Sequence, residues 1–306
     1  ISAFIQNQLS AGKTHYDENM FFQALSEIEI LDFYCSRFPA KSAVYEPRLG
    51  VGQANPEASF RAMFPCDQGE DFEIKVNIEV KTPRFPLLDE SHDRSAISTV
   101  LLTNEGRDTF QQLCESHGVM CVFPRVNKLV EFINSASKKF QEPKENEYNL
   151  LYINWSYSDF PSNSFLEAWS LLTNDFNGLL THREIGPKLH LSEPLNPEAF
   201  SKITAIIVYT SSLDQLMFTD FRYVWQGTNP DVGQRFRMFV LDEKLRDAEI
   251  SCNSKVLFTI TGMRPSILEP KSWKLLFNRN RNSNTIDDQL FCRQALDIIN
   301  EYPLTF

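Results

Sequence analysis

Residues 72–83 read FEIKVNIEVKTP and carry the clearest strand pattern in the chain. Apolar and polar side chains alternate here: Ile74, Val76, Ile78 and Val80 with Lys75, Asn77, Glu79 and Lys81. Successive side chains of a β-strand point to opposite faces, so this alternation predicts a strand with one buried and one polar face. Glu79 and Lys81 are two residues apart, which places their side chains on the same face, about 6 to 7 Å apart along the strand.

A helix and two β-rich segments precede this strand. Residues 17–36 predict an amphipathic helix, because apolar side chains recur at helical spacing after Asp17, a residue type that caps helix N-termini. Residues 44–50 (VYEPRLG) and 58–64 (ASFRAMF) are β-rich, and glycine, proline and asparagine separate them from their neighbours. If 58–64 pairs with the following strand as a hairpin, Glu57 comes close to Glu79.

Helices and strands alternate over the rest of the chain. Periodicity predicts helices in 108–118, 127–141, 164–174 and 286–302, and strands in 148–156, 203–211, 235–242 and 255–261. This alternation predicts an α/β fold with a mixed central β-sheet flanked by helices. We expect a core over residues 1–215 with an insertion at about 92–122, and a C-terminal extension over 216–306 that packs on the core.

Composition and missing motifs exclude several function classes. The 306 residues carry a net charge of −10, which argues against coating nucleic acid through bulk positive charge. The sequence contains no Gly-x-x-x-x-Gly-Lys-[Ser/Thr], Gly-x-Ser-x-Gly or His-Glu-x-x-His motif, so phosphate-loop, serine-hydrolase and zinc-hydrolase chemistry lack support. The six cysteines lack metal-knuckle spacing, and no apolar run approaches the 18 residues of a membrane span. We therefore expect a cytoplasmic protein without a membrane partner.

The polar face of residues 72–81 holds groups that suit metal-assisted hydrolysis. The Glu79 carboxylate and the neighbouring Val80 carbonyl are hard oxygen ligands of the kind Mg²⁺ prefers. The Lys81 ammonium can orient or help to deprotonate a water on that ion. Glu57 supplies a second carboxylate if the hairpin forms. This set predicts Mg²⁺-dependent hydrolysis of phosphodiesters.

The order of these elements resembles a known family. Over residues 17–156 the chain resembles the PD-(D/E)XK nuclease superfamily. The similar order of elements is a helix with glutamates, a strand, Pro56-Glu57, a second strand that ends in Glu79-Val80-Lys81, a helix and a strand. The resemblance implies a restriction-endonuclease-like fold and cleavage of DNA by an endonuclease of restriction or defence type, with Mg²⁺ or Mn²⁺. It implies that Glu57, Glu79 and the Val80 carbonyl hold the metal and that Lys81 is the catalytic cation.

The resemblance also implies further site residues on two helices. In the family an acidic residue of the first helix lies at the site, and Glu29 or Glu27 fits this position. We expect Glu29 to be the catalytic one, assisting a metal ion or its water. A polar residue of the following helix contacts the nucleic acid, and Lys138 or Gln141 fits. A homodimer is a further expectation, because many enzymes that cut both strands are dimers.

A basic and aromatic segment near the C-terminus is the best candidate for nucleic-acid contact. Residues 271–284 (KSWKLLFNRNRNSN) carry four cations beside Trp273 and Phe277, namely Lys271, Lys274, Arg279 and Arg281. Cations bind phosphates and aromatic rings stack on bases. The alternative for this segment is a helix that buries its aromatic residues and exposes its charges.

Two other interpretations of the whole chain stay open. Glu57 stands where the family usually has aspartate, so the fold could lack catalysis and bind DNA or a protein partner instead. The chain could also be an interaction protein with an unrelated α/β fold, in which case Lys81 points into bulk water with no acidic cluster near it.

Overall fold

The computed structural model describes residues 17–37, 42–49, 54–65, 70–83, 96–99, 102–155, 164–173, 178–181, 193–211, 236–241, 256, 260–261, 275–278 and 288–302. The chain forms two compact units, each made of separate segments. The first contains residues 1–84, 130–161 and 195–268, and the second contains 85–129, 162–194 and 269–306.

The helices and strands follow in chain order. They are α1 (Glu18–Arg37), β1 (Ser42–Tyr45), β2 (Ala58–Phe64), β3 (Phe72–Lys81), β4 (Ala96–Thr99), α2 (Asn104–Ser116), β5 (Met120–Val122), α3 (Val126–Lys139), β6 (Glu147–Asn154), α4 (Ser164–Thr173), α5 (Ala199–Lys202), β7 (Ala205–Tyr209), β8 (Phe236–Val240), β9 (Leu275–Asn278) and α6 (Asp288–Glu301).

The first unit is built on a six-stranded mixed sheet in the order β1-β2-β3-β6-β7-β8. β1, β2 and β3 pair antiparallel, β6 and β7 continue parallel to β3, and β8 pairs antiparallel with β7. β7 is buried along its whole length, as expected of a central strand covered on both faces. The predicted α/β class with a mixed sheet flanked by helices is therefore confirmed.

The alternation in β3 places its apolar residues in the main core. Ile74, Val76, Ile78 and Val80 belong to one buried cluster with Ile30, Phe33 and Tyr34 of α1. The Tyr34 hydroxyl lies 2.8 Å from the Tyr152 hydroxyl of β6, so these two buried phenols satisfy one another. α1 thus covers the apolar face of the sheet, and the polar residues of β3 face the other side.

The second unit has its own small sheet, in the order β5-β4-β9, and its own core. That core includes Phe110 and Cys114 of α2 with Phe291 and Ala295 of α6. Gly106 of α2 allows Tyr302 to approach closely, since a Cβ at this glycine would lie 2.4 Å from the Tyr302 Cβ.

Three expectations about the C-terminal third are wrong. Residues 275–278 form strand β9 instead of part of a helix, because they pair with β4, and a short apolar run is ambiguous until its partner is known. Val256, Ile260 and Thr261 are helical instead of extended. Val256 and Ile260 are both buried in the main core, and their four-residue spacing suits one face of a helix.

The third correction concerns the domain boundary near residue 215. β8 lies beyond this boundary, yet it pairs with β7 and completes the main sheet. The expected insertion at 92–122 and the C-terminal helix α6 both belong to the second unit. Long-range strand pairing decides this division, and no local composition shift marks it.

Within the part of the chain that the structure describes, no helix has the length and apolar character needed to cross a membrane.

Candidate functional site

The polar end of the β2–β3 hairpin brings together residues that are far apart in sequence. Ala58 pairs with Ile78 in the antiparallel register, so Glu57, just before β2, comes opposite Glu79. The Glu46 amide donates to the Glu57 carbonyl at 2.9 Å, which holds the backbone of Glu57 beside the end of β1. β2 and β3 therefore form the hairpin on which the proximity of Glu57 and Glu79 depends, and it aligns the two carboxylates.

Two lysines share the Glu79 carboxylate. The Lys81 Nζ lies 2.6 Å and the Lys139 Nζ 2.7 Å from Glu79 Oε1. The Lys139 Nζ also lies 3.4 Å from Glu57 Oε1. The Glu79 side chain is 0% exposed and each lysine side chain is 20% exposed, so these ion pairs are largely shielded from water. Lys81 does not point into bulk water, contrary to the interpretation as an unrelated interaction protein.

A third carboxylate reaches this site from α1. The Gln23 Nε2 donates to the Thr82 carbonyl at 3.2 Å, which places α1 beside the end of β3. Glu27 follows one turn later on the same face of the helix. Burial and the negative charges of Glu57 and Glu79 together raise the pKa of Glu27 to about 8, against the opposing effect of the two lysines. We call Glu27, Glu57, Glu79, Lys81 and Lys139 the carboxylate–lysine cluster.

Glu29 lies elsewhere in the same unit. Its Oε1 accepts a hydrogen bond from the Ser211 hydroxyl at 3.1 Å, and its side chain is buried. Burial raises the pKa of Glu29 well above its usual range. Two positions along a helix rotate a side chain by about 200°, so Glu27 and Glu29 point in different directions. The structure therefore places Glu27, and not Glu29, beside Glu57 and Glu79.

The charges within the cluster compete with burial. Burial, and next the negative charge of Glu79, raise the pKa of Glu57 to about 7, although Lys139 and Lys81 oppose this rise. Burial acts to lower the pKa of Lys139, but the Glu79 and Glu57 carboxylates outweigh it and leave that pKa above its usual value. Three carboxylates and two ammonium groups therefore share one shielded region in which Lys139 remains positively charged.

These shifts predict how stability depends on pH. The raised pKa values of Glu27 and Glu57 mean that the folded state keeps protons that the unfolded state loses above about pH 4.5. The free energy of unfolding should therefore fall as pH rises from about 5 to about 8, by at most about 1.4 kcal/mol per pH unit for each group. Urea unfolding across this range checks the slope.

The matched variant for this pH dependence is Glu27→Gln, which cannot titrate. Its free energy of unfolding is expected to fall less steeply with pH than that of the wild type. An identical slope in the two proteins would show that Glu27 titrates near its usual pKa and is not buried with the other carboxylates.

The helix residues expected to contact nucleic acid do not enter the cluster. Lys138 is exposed, and Gln141 is exposed with its backbone carbonyl accepting from the Asn149 side chain at 2.7 Å. Lys139 enters instead. It follows Ala136, a residue of the buried stripe of α3, by three positions, so it continues the face that lies against the sheet. That spacing is the signal that identifies Lys139 from the sequence.

Tyr45, the last residue of β1, borders the carboxylate–lysine cluster and is 45% exposed. It pairs with Ala58, the residue after Glu57. Burial raises the pKa of Tyr45, and the charges of Glu27 and Glu57 add to the effect. The sequence offered no signal for this position, because its proximity depends on the β1–β2 register.

Val80 lies between Glu79 and Lys81 on β3, and its side chain is buried in the main core. The four basic residues proposed for nucleic-acid contact, Lys271, Lys274, Arg279 and Arg281, lie outside the described residues.

The donor chemistry of the cluster suits a divalent cation. No group of three or more histidine, cysteine, aspartate or glutamate residues forms a ready metal centre among the residues that the structure describes. However, Glu27 Oε2 and Glu79 Oε2 are buried without a hydrogen-bond partner. Carboxylate oxygens left in this state are the ligands that Mg²⁺ and Mn²⁺ take. The residues present therefore fit such an ion in donor type. In this structure the Lys139 ammonium contacts both Glu57 and Glu79.

Comparisons of the chain with protein-family models, with curated proteins and with solved structures found no match.

Proposed function

We propose that this protein is a Mg²⁺-dependent endonuclease that hydrolyses DNA phosphodiesters. The observation that carries the proposal is the convergence of Glu57, Glu79 and Lys81 at the end of one hairpin, with ion pairs of 2.6 to 3.4 Å through the two lysines. The PD-(D/E)XK resemblance implies this same arrangement. The resemblance favours a nuclease of restriction or defence type that acts as a homodimer on the two DNA strands. We propose that it acts in the cytoplasm.

The residues divide into ligands and proton carriers. Glu57, Glu79 and the Val80 carbonyl would hold Mg²⁺ or Mn²⁺, which would stabilise the negative charge that develops on the phosphoryl oxygens. Lys81, held by Glu79 at 2.6 Å, orients the attacking water and brings positive charge to the phosphate. Glu27 has a raised pKa of about 8, so its carboxyl can exchange a proton near neutral pH.

A second candidate function is a nuclease-like fold without catalysis that binds DNA or a protein partner. The observation that favours it is the position of Lys139, which forms ion pairs with both Glu79 at 2.7 Å and Glu57 at 3.4 Å. These pairs neutralise the two carboxylates internally, as expected of a structural charge cluster.

Lys81→Met tests the proposed role of the lysine. It keeps the aliphatic length of the side chain but removes the ammonium that positions water. Cleavage of supercoiled plasmid in the presence of Mg²⁺ should fall by about 10²- to 10⁴-fold, the usual contribution of a positioned acid–base group. Assays on duplex DNA, single-stranded DNA and RNA, each with a chelator control, identify the substrate.

Lys75→Met is the matched control. Lys75 lies on the same strand face, has a similarly exposed side chain and pairs with Glu147 at 2.7 Å instead of with the cluster. It should retain cleavage within about threefold. Equal activity in Lys81→Met and Lys75→Met would contradict the catalytic assignment. Binding of DNA by a wild type that cleaves none of these substrates would favour the second candidate.

A further inference from the structure

Lys139 lies where the two proposed metal-binding carboxylates face one another. Its Nζ is 2.7 Å from Glu79 Oε1 and 3.4 Å from Glu57 Oε1, whereas the Lys81 Nζ forms an ion pair with Glu79 alone. We infer that Lys139 is an internal counter-ion that occupies this position until a divalent cation displaces it. The inference rests on the proposed function in one respect, namely that a divalent cation binds Glu57 and Glu79.

Competition follows from the positions of the charges. The Lys139 ammonium contacts one oxygen of each carboxylate, Oε1 of Glu79 and Oε1 of Glu57. A divalent cation that bridges Glu57 and Glu79 would lie within a few ångströms of this positive charge. Because the surroundings are largely shielded from water, this repulsion is much stronger than at an exposed surface. The ammonium and the cation therefore exclude one another.

The charge balance explains why a counter-ion is present. Glu27, Glu57 and Glu79 converge in one region, and Glu79 is fully buried. A buried carboxylate without a partner is strongly destabilising. The positive charge of Lys81 balances the negative charge of Glu79, whereas Glu57 forms its ion pair with Lys139. The cluster is thereby stabilised in the absence of a metal ion.

The position of Lys139 in α3 allows it to move away. Lys139 is the last residue of the helix, and its side chain is partly exposed. The adjacent Phe140 is buried and anchors the backbone. A rotation of the flexible four-carbon stem can therefore carry the ammonium towards solvent while the helix and the sheet stay in place.

The test is cation binding to Lys139→Met, measured by isothermal titration calorimetry with Mg²⁺ and with Mn²⁺. This variant keeps the apolar stem and removes the charge. Its dissociation constant for the cation should be at least about tenfold lower than that of the wild type, because the cation no longer displaces an ammonium. Its unfolding temperature should be lower than that of the wild type without cation and should rise more when the cation is added.

Lys138→Met is the matched control, since Lys138 is the exposed neighbour on the same helix. Its cation affinity and unfolding temperature should equal those of the wild type. If Lys139→Met does not fold without cation, added Mn²⁺ should restore its folding, and Lys139→Gln provides a second variant that retains a hydrogen-bond donor without the charge.

Two outcomes would overturn the inference. One is a cation affinity of Lys139→Met equal to or weaker than that of the wild type, and the other is the absence of cation binding in the wild type and in both Lys139 variants. The proposed function fails separately: a protein that binds the cation through Glu57 and Glu79 but cleaves no nucleic acid would leave the counter-ion role intact and exclude the nuclease.

Discussion

Glu79→Gln is expected to reduce Mg²⁺-dependent cleavage by about 10³-fold or more. A bound metal ion stabilises the charge of the transition state by several kcal/mol, and each 1.4 kcal/mol of this stabilisation that is lost lowers the rate about tenfold. Glu79 is fully buried and is the carboxylate that both Lys81 and Lys139 contact. The amide keeps the size of the side chain but binds neither a metal ion nor an ammonium strongly. Initial rates of plasmid cleavage, with Mg²⁺ and with Mn²⁺, measure the effect.

The same variant has a second consequence, independent of activity. Removing the Glu79 charge takes away one of the causes that raise the pKa of Glu57 and of Glu27. Both pKa values should therefore fall in Glu79→Gln, which carboxyl NMR titration detects. This outcome tests the geometry of the cluster even if the protein is not a nuclease.

Glu73→Gln is the control for Glu79→Gln. Glu73 is an exposed residue at the other end of the same strand, where it lies 3.5 Å from Arg61. Its replacement should leave cleavage unchanged, because exposed ion pairs contribute little. Cleavage by Glu79→Gln at the rate of Glu73→Gln would exclude Glu79 from the site.

Asn149→Leu should lower the free energy of unfolding by about 3 to 5 kcal/mol, because it leaves several buried polar groups without partners. The Asn149 Nδ2 donates to the carbonyls of Gln141 and Lys202, each at 2.7 Å, and its Oδ1 accepts from the Asn77 Nδ2 at 2.7 Å. This side chain thus joins β3, β6 and the chain segments on either side of β6. Urea unfolding at constant pH measures the loss.

Gln111→Leu is the matched control for Asn149→Leu. Gln111 is an exposed residue of α2 whose side chain donates to Glu115 at 2.8 Å. Water can replace that hydrogen bond, so the free energy of unfolding should change by less than about 0.5 kcal/mol. A loss below about 1 kcal/mol in Asn149→Leu would show that the Asn149 hydrogen bonds exchange for water and do not hold β6 in place.

Local patterns in the sequence were sufficient to predict strand β3 and to relate two of the candidate carboxylates. The alternation over residues 72–81 predicts which face of β3 is apolar, because side-chain direction alternates by the geometry of the strand itself. The burial of Asn77 and Glu79 on the polar face is a tertiary effect that the alternation does not predict. Glu57 and Glu79 could be paired in advance because the antiparallel register of one hairpin relates them, over a short stretch of chain.

Other residues of the site depend on how distant elements pack. Glu27 and Glu29 are both glutamates of one amphipathic helix, and only the docking of α1 near Thr82 decides which of them faces the hairpin. Lys139 is brought to Glu57 by the packing of α3 on the sheet, across a separation of 82 residues. The helical spacing from Ala136 separates Lys139 from Lys138, but only the packing of α3 on the sheet shows that this face of the helix meets Glu57.

The sequence by itself thus determined the α/β class, the polar face of β3 and the pairing of Glu57 with Glu79, because each depends on periodicity or on contacts between neighbours in the chain. The tertiary structure alone decided that Glu27 and Lys139 complete the carboxylate–lysine cluster, that residues 275–278 form a strand, and that β8 belongs to the main sheet. These features depend on pairing between distant segments, which the burial of the whole core selects and no local pattern encodes.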